Sequence, residues 1–237
     1  MKKNRQNTLA KLENILNIKF NNIELLDMAL SHSSYVNENK NLCSNERLEF
    51  LGDSILQLCI SEILYNTYKD KPEGFLTKKR SLIVCENSLY NVATKWNIGE
   101  FINMSKGEEL TGGRTRISIL ADCVEAIIAS IYLDLGYSEA KRFIEENFSE
   151  ILLKAHKDEI ILDYKTKLQE IIQSYGDYNI EYNLLNFEGP PHRRKFYSEV
   201  LVTPLVSGTG EGYSKKESEQ NAAKEALEKL GDMQENE

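Results

Sequence analysis

No uncharged apolar run in this sequence approaches the roughly 20 residues that a membrane-spanning helix needs. The basic opening segment, Met1 to Leu12, lacks the apolar stretch of about 7 to 15 residues that follows such a start in a secretory leader. A cytoplasmic protein with no membrane attachment is therefore expected. Cysteine is scarce: Cys43, Cys59, Cys85 and Cys123 lie far apart and form no C-x-x-C pair, and three of them fall inside apolar helical patterns. That distribution speaks against a disulfide framework or a zinc knuckle and for reduced thiols packed as small apolar groups. The three histidines, His32, His156 and His192, have no ligand spacing, which also disfavours zinc. No internal repeat is visible. Positive charge is short as well, the formal net charge being −8. Up to His156 there are 19 basic and 21 acidic residues, and beyond it 10 and 16, so the second part is the more acidic. Bulk electrostatics would repel a polyanion, and any such partner must be held by local clusters. Arg193, Arg194 and Lys195, then Lys215 and Lys216, are the compact ones in that part.

What is present is ordinary for a globular chain: 237 residues, 41% apolar and 28% charged, enough for one large domain or two modest ones. Up to about residue 153 apolar residues recur at helical spacing, as in Leu48, Leu51, Ile55 and Leu58, or Leu82, Leu89, Val92 and Trp96, and nothing alternates like a strand. Pro72 with Gly74, and the stretch Gly107 to Arg116 with Gly112 and Gly113, mark stops. The polar, charged segment from Lys154 reads as a linker. After it come a helix from Tyr164 to about Tyr175, alternating segments Asn179 to Phe187 and Lys195 to Val206, a glycine-punctuated stretch Gly208 to Gly212 in which a third strand is faint, and a last helix opened by Ser214. Ser214 with Glu217 three residues on forms a capping box.

Two apolar helices carry acids on one face. Glu49 and Asp53 are spaced i, i+4 with Glu46 a turn earlier, and Asp122 and Glu125 are spaced i, i+3. The first helix is nearly all apolar otherwise, through Ile63, so burial is expected, and buried carboxylates need compensation. Two compensations are open: a hard divalent cation such as Mg²⁺, which prefers oxygen ligands, or buried ion pairs with Arg47, Arg80 or Arg116.

The run Asn45-Glu-Arg-Leu-Glu-Phe-Leu-Gly-Asp-Ser54 resembles, without a gap, the signature of the ribonuclease III family, and Leu120-Ala-Asp-Cys-Val-Glu-Ala126 resembles its second catalytic block. Ala29 to Tyr35 and Glu73-Gly-Phe-Leu-Thr77 extend the resemblance. In the second part, Asp163 to Glu170, Gly189-Pro-Pro-His-Arg193 and Ser214 to Ala223 resemble the three elements of a double-stranded-RNA-binding domain, with Ser218 where alanine is usual, a departure expected to matter little at a half-exposed position. The resemblance implies an all-α endonuclease and dimerisation domain over residues 1–153, a linker over 154–162, an α+β (α-β-β-β-α) RNA-binding domain over 163–232 and a disordered tail over 233–237.

It further implies metal-ligand roles for Glu49, Asp53, Asp122 and Glu125, with Asp53 and Glu125 catalytic, and supporting roles near the cleavage valley for Glu46 and Glu73. Mg²⁺ is the implied metal, with Mn²⁺ able to substitute. Phe50 resembles an apolar knob that enters a partner subunit of a homodimer, although an ordinary core phenylalanine would look the same. Thr166, Gln169, Glu170 and Gln173 would face one minor groove of duplex RNA, His192 the next, and Lys215 and Lys216 the phosphates between. Lysines in the first turn of a helix oppose its dipole unless an anion is present, but a solvated helix end would look alike. The implied reaction is hydrolysis of double-stranded RNA to 5′ phosphate and 3′ hydroxyl ends with short 3′ overhangs, on ribosomal-RNA precursors and structured messages. An RNA-binding protein that has lost catalysis, or an unrelated helical metal enzyme such as a nucleotide phosphohydrolase, are the rival expectations.

Overall fold

The structure is a computed structural model that describes residues 3–39, 42–157, 160, 164–190 and 194–234. It divides into two compact units, Met1–Ile160 and Ile161–Glu237. The first is helical, with α1 (Lys3–Leu16), α2 (Ile23–Ala29), α3 (Ser33–Glu38), α4 (Glu46–Thr67), α5 (Glu73–Ile83), α6 (Glu86–Lys95), α7 (Lys106–Leu110), α8 (Ile117–Leu135), α9 (Tyr137–Asn147) and α10 (Ser149–His156). Helix α8 is apolar nearly all round, and a helix of that kind is stable only at the centre of a bundle. Ile119, Leu120, Ala121, Cys123, Val124 and the run Ala126 to Ile131 are buried, and α2, α4, α6 and α9 pack around them. The cysteines are all free thiols, Cys59 and Cys123 inside this core.

Three sequence expectations change here. Helix α4 is not buried all round: Leu48, Gly52, Ile55, Leu56, Cys59, Ile60 and Leu64 face inward, while Phe50, Leu58 and Tyr65 form an exposed apolar stripe. The linker does not start at Lys154. Helix α10 runs on to His156, with Ala155 buried and the ammonium of buried Lys79 donating to the Ala155 carbonyl, so a lysine answers the negative end of the helix dipole inside the bundle. Of the glycines expected to relax the loop before α8, Gly112 has φ +86°, whereas Gly113 does not need a positive φ and instead sits close against Glu108 and Met104.

The second unit has the expected order: α11 (Tyr164–Tyr175), β1 (Ile180–Glu188), β2 (Lys195–Val202), β3 (Val206–Gly212) and α12 (Lys215–Gln234), the strands forming one antiparallel sheet in the order β1-β2-β3. Val206, expected within the second strand, opens the third, after a turn over residues 203–205. The faintness of β3 in the sequence has a packing cause. Its inward positions Gly208, Gly210 and Gly212 pair with Val200, Ser198 and Phe196 of β2, and α12 lies directly on them. A Cβ at Gly208 would stand 2.3 Å from the Ala222 carbonyl oxygen, and one at Gly210 would stand 2.2 Å from the Ala222 nitrogen. The strand's inner face is therefore glycine, answered by Ala222, Ala223 and Ala226, and shows no apolar alternation. Helix α12 continues through Gln234, past the point where the tail was expected, and residues 235–237 lie outside the described residues.

The capping box forms with one variation. The Ser214 hydroxyl accepts from the Glu217 N–H at 3.1 Å, while the Glu217 carboxylate accepts from the N–H of Tyr213, one residue further back, at 2.7 Å. Ser218 is not half-exposed. It is fully buried, its hydroxyl 2.7 Å from that of buried Ser198 and 3.0 Å from the Lys215 carbonyl. Replacing Ser218 alone with alanine strands the Ser198 hydroxyl, which should cost about 1–3 kcal/mol, whereas Ser198→Ala with Ser218→Ala together should be nearly neutral. Urea melts of the three variants test this, and a double variant as unstable as the single one would contradict it.

Candidate active site and RNA interface

The acids of α4 and α8 are brought together by a glycine. Gly52 lies between Glu49 and Asp53 on α4, and a Cβ there would stand 1.8 Å from the carbonyl oxygen of Glu125. With hydrogen in that place the two helices cross backbone to backbone. Glu125 is at the crossing itself and Asp122 a turn earlier on α8, so the two acidic faces meet. The physical signature of that meeting is mutual repulsion in a poorly solvated place. Burial, followed by the charges of Asp53, Glu49 and Asp122, pushes the Glu125 carboxyl up to about 8. Glu49 is raised by burial, then by Asp122, Glu46 and Asp53. Asp122 is raised by burial and by Glu86, with His32 acting the other way.

The ion-pair alternative fails among the described residues. No lysine or arginine pairs with any of the four: Arg116 is engaged by Glu108, and Arg80 donates to the Ser61 hydroxyl. Asp53 is held instead by a neutral donor, the Gln57 amide, at 2.8 and 2.9 Å from its two oxygens. Glu46, exposed, accepts from the Ser44 hydroxyl at 2.9 Å and acts on the cluster through Glu49. Glu73 is not gathered with the four. It stands in the first turn of α5, accepts from the Thr77 hydroxyl at 2.8 Å and lines a cleft of about 440 Å³ with Leu58, Ser61, Tyr65 and Leu76. Sequence reading missed Glu86, which opens α6, and His32, which caps α3 through its Nδ1. Neither has helical spacing to the other acids, and only the packing of their elements brings them near Asp122.

Four carboxylates without cationic partners fit, as a donor set, a hard divalent cation. Among the described residues no three His, Cys, Asp or Glu side chains are already drawn together as bound metal would draw them.

Phe50 is not a core phenylalanine: it is 77% exposed, and Leu58 at 57% and Tyr65 at 72% continue the same stripe of α4. In the second unit Thr166, Gln169, Glu170 and Gln173 are all exposed on α11, and Lys215 and Lys216 project from the first turn of α12. The carboxamide oxygen of Gln220 on α12 accepts from the N–H groups of Tyr164 and Lys165 at 2.7 and 3.3 Å, which locks the start of α11 to the start of α12. The loop expected to enter the minor groove, with His192, lies outside the described residues. The basic run beside it is less available than its sequence suggested, since Lys195 is paired with Glu211 at 2.7 Å and the Arg194 guanidinium lies over the Phe187 ring.

The chain thus joins a helical unit with an acidic crossing to an α-β-β-β-α unit. Residues 22–152 match the model of the Ribonuclease-III-like family and residues 164–230 that of the double-stranded RNA binding motif. The chain is 65% identical over 224 residues to Ribonuclease 3 of Clostridium kluyveri, covering 94% of this chain and 92% of that one, and 64% identical over 227 residues to Ribonuclease 3 of Clostridium tetani, covering 96% and 97%. The nuclease domain of ribonuclease III from Campylobacter jejuni, solved in a study of flexibility in its dimer-forming region, aligns with a TM-score of 0.55 at 43% identity, over 59% of this chain and 97% of that one. The chain belongs to the ribonuclease III family and is an endoribonuclease. No helix among the described residues is long and apolar enough to cross a membrane.

The raised carboxyl of Glu125 makes the metal-free fold pH-sensitive. Between its ordinary value of 4.5 and about 8 the folded chain holds a proton that the unfolded chain has released. Stability from this group is therefore complete below the lower value and is lost as pH rises to the upper one. In chelator, Glu125→Gln should stabilise the protein, little at pH 5 and most at pH 8.5. Thermal melts at the two pH values measure it, and a gain independent of pH would contradict the electrostatic origin.

Proposed function

We propose that this chain is a homodimeric endoribonuclease of double-stranded RNA whose hydrolysis depends on Mg²⁺, or Mn²⁺ in its place, held by Glu49, Asp53, Asp122 and Glu125. The observation that carries the reading is the crossing of two apolar helices at which four carboxylates repel one another without a cation among the described side chains. Such an arrangement is costly by itself and is the kind of stored strain found at functional sites. The bound cation would supply charge stabilisation and an activated water for phosphodiester hydrolysis. The protein's own contribution is placement: Gly52 sets the crossing, Gln57 holds Asp53, and Ser44 orients Glu46 beside Glu49. Asp53 and Glu125 are the residues closest to the reacting atoms in this reading. The products would carry 5′ phosphate and 3′ hydroxyl ends with short 3′ overhangs, and the substrates would be ribosomal-RNA precursors and structured messages in the cytoplasm.

Duplex RNA has to be read by shape, and three separated contact points suit that task. In this reading Thr166, Gln169, Glu170 and Gln173 meet one minor groove, His192 the next, and Lys215 and Lys216 the phosphates between. The Gln220 clamp keeps the first and last of these in fixed relation. Glu125→Gln, which keeps size but removes the charge that would hold a cation, should lower cleavage of a long RNA duplex by orders of magnitude and leave binding intact. A gel assay with and without Mg²⁺ checks it; undiminished cleavage at limiting Mg²⁺ would remove Glu125 from the site.

The homodimer reading rests on the stripe of Phe50, Leu58 and Tyr65, large apolar side chains aligned along one helix and open to solvent, with Glu73 on the border of the same face. A second copy of the chain would cover it, Phe50 acting as the knob. Phe50→Ala should shift sedimentation toward the monomer at micromolar concentration, and an unchanged dimer would take Phe50 out of the interface.

A further inference from the structure

The RNA-binding unit is acidic, and the ion pairs show where its cations are spent. Lys195 is bound by Glu211 at 2.7 Å and Lys229 by Glu225 at 2.9 Å, and Lys224 reaches Glu228 at 3.9 Å. The proposed phosphate-contact corner at the start of α12 has a pairing of its own. Glu219, one turn after Lys215 and only 14% exposed, takes the ammonium of Lys165 on one oxygen at 2.7 Å and faces that of Lys215 on the other at 3.9 Å. Lys165 is doubly held, because it also lies 4.1 Å from the centre of the Tyr182 ring. Lys215 is loosely held and largely exposed, and Lys216 has no carboxylate partner among the described residues.

We propose that Glu219 is an affinity-limiting residue of the RNA interface: one nearly buried carboxylate that neutralises part of the Lys165, Lys215 and Lys216 corner and competes with RNA phosphate for Lys215. This rests on the reading of Lys215 and Lys216 as phosphate contacts and adds the group that restrains them. The geometry sets the direction of the effect. A carboxylate shared by two ammoniums cannot neutralise both, and the tighter contact falls to Lys165, so Lys215 is the cation that phosphate can take. Taking it costs the 3.9 Å attraction to Glu219 and brings phosphate toward a fixed negative charge. Glu219 also ties α12 to α11, but that mechanical link survives in an amide, which still accepts from Lys165. Charge and positioning can thus be separated by Glu219→Gln.

Binding of the full-length protein to a blunt RNA duplex longer than about 16 base pairs, the span of one such domain, is measured in chelator across a salt series. Glu219→Gln should tighten binding by about fivefold at 0.15 M salt with little change in the slope of log affinity against log salt, because the number of phosphate contacts stays the same. Glu228→Gln, which removes an acid of the same helix that pairs with Lys224, should change neither. Lys215→Ala with Lys216→Ala should weaken binding and flatten the slope by about one to two, and should abolish most of the gain from Glu219→Gln when combined with it. An unchanged or weakened affinity in Glu219→Gln, with the lysine pair behaving as stated, overturns the role of Glu219 and leaves the phosphate contacts standing. Equal gains from Glu219→Gln and Glu228→Gln overturn it in favour of bulk charge. A lysine pair without effect overturns both.

Discussion

The nuclease unit depends on the contact of Gly52 with the backbone of Glu125. Everything that makes the site chemically unusual follows from two helices being allowed to touch there. A methyl group at residue 52 would overlap the Glu125 carbonyl oxygen, and the helices would have to part or slide. At the observed approach the acids of both helices share one poorly solvated space, and burial together with the neighbouring carboxylates raises the proton affinity of Glu125 and Glu49. The apolar surroundings of α8 hold the crossing in place, so the core supplies the energy that the carboxylates cost. If Glu125 holds the cation as proposed, stability and function are opposed at this point, because its ionised carboxylate is disfavoured in the metal-free fold.

The RNA-binding unit uses glycine for a related purpose. Gly208, Gly210 and Gly212 bring α12 down onto β3, and Ala222, Ala223 and Ala226 complete a helix-on-strand contact with almost no side chain between. A thin interface of this kind leaves little freedom to the start of α12. Gln220 and Glu219, both near that start, then fasten α11 to it. Two surfaces expected to touch different parts of one duplex are so held at a fixed separation, which is what recognition by shape demands. The buried pair Ser198 and Ser218 belongs to the same contact: the Ser218 hydroxyl donates to the Lys215 carbonyl and accepts from that of Ser198.

The acidity of the second unit becomes intelligible at the level of pairs. Several of its lysines are engaged by carboxylates, so net charge overstates the repulsion at some places and understates it at others. What matters for a polyanion is which ammonium groups remain open, and two that are open or only loosely held, Lys215 and Lys216, lie at the start of α12, where the helix dipole makes them costly without a counter-ion.

The sequence by itself determined the periodic and local features. The i, i+4 and i, i+3 acids on apolar helices, the order of the two units, α11 and the cap at Ser214 could all be read from spacing, because helical period and capping are properties of a few consecutive residues. Tertiary structure alone decided what each face meets. Period placed Leu58 with Leu48 and Ile55, yet it is exposed, because a helix stripe does not say where the bundle ends. Strand β3 was faint because glycine is silent about burial until the opposing helix is known. The charged stretch at Lys154 looked like a linker because the lysine that caps α10 lies 76 residues earlier in the chain. Glu86 and His32 near Asp122, and Lys165 beside Glu219, are likewise meetings of distant segments, and electrostatic coupling depends on distance in space, to which sequence spacing is blind.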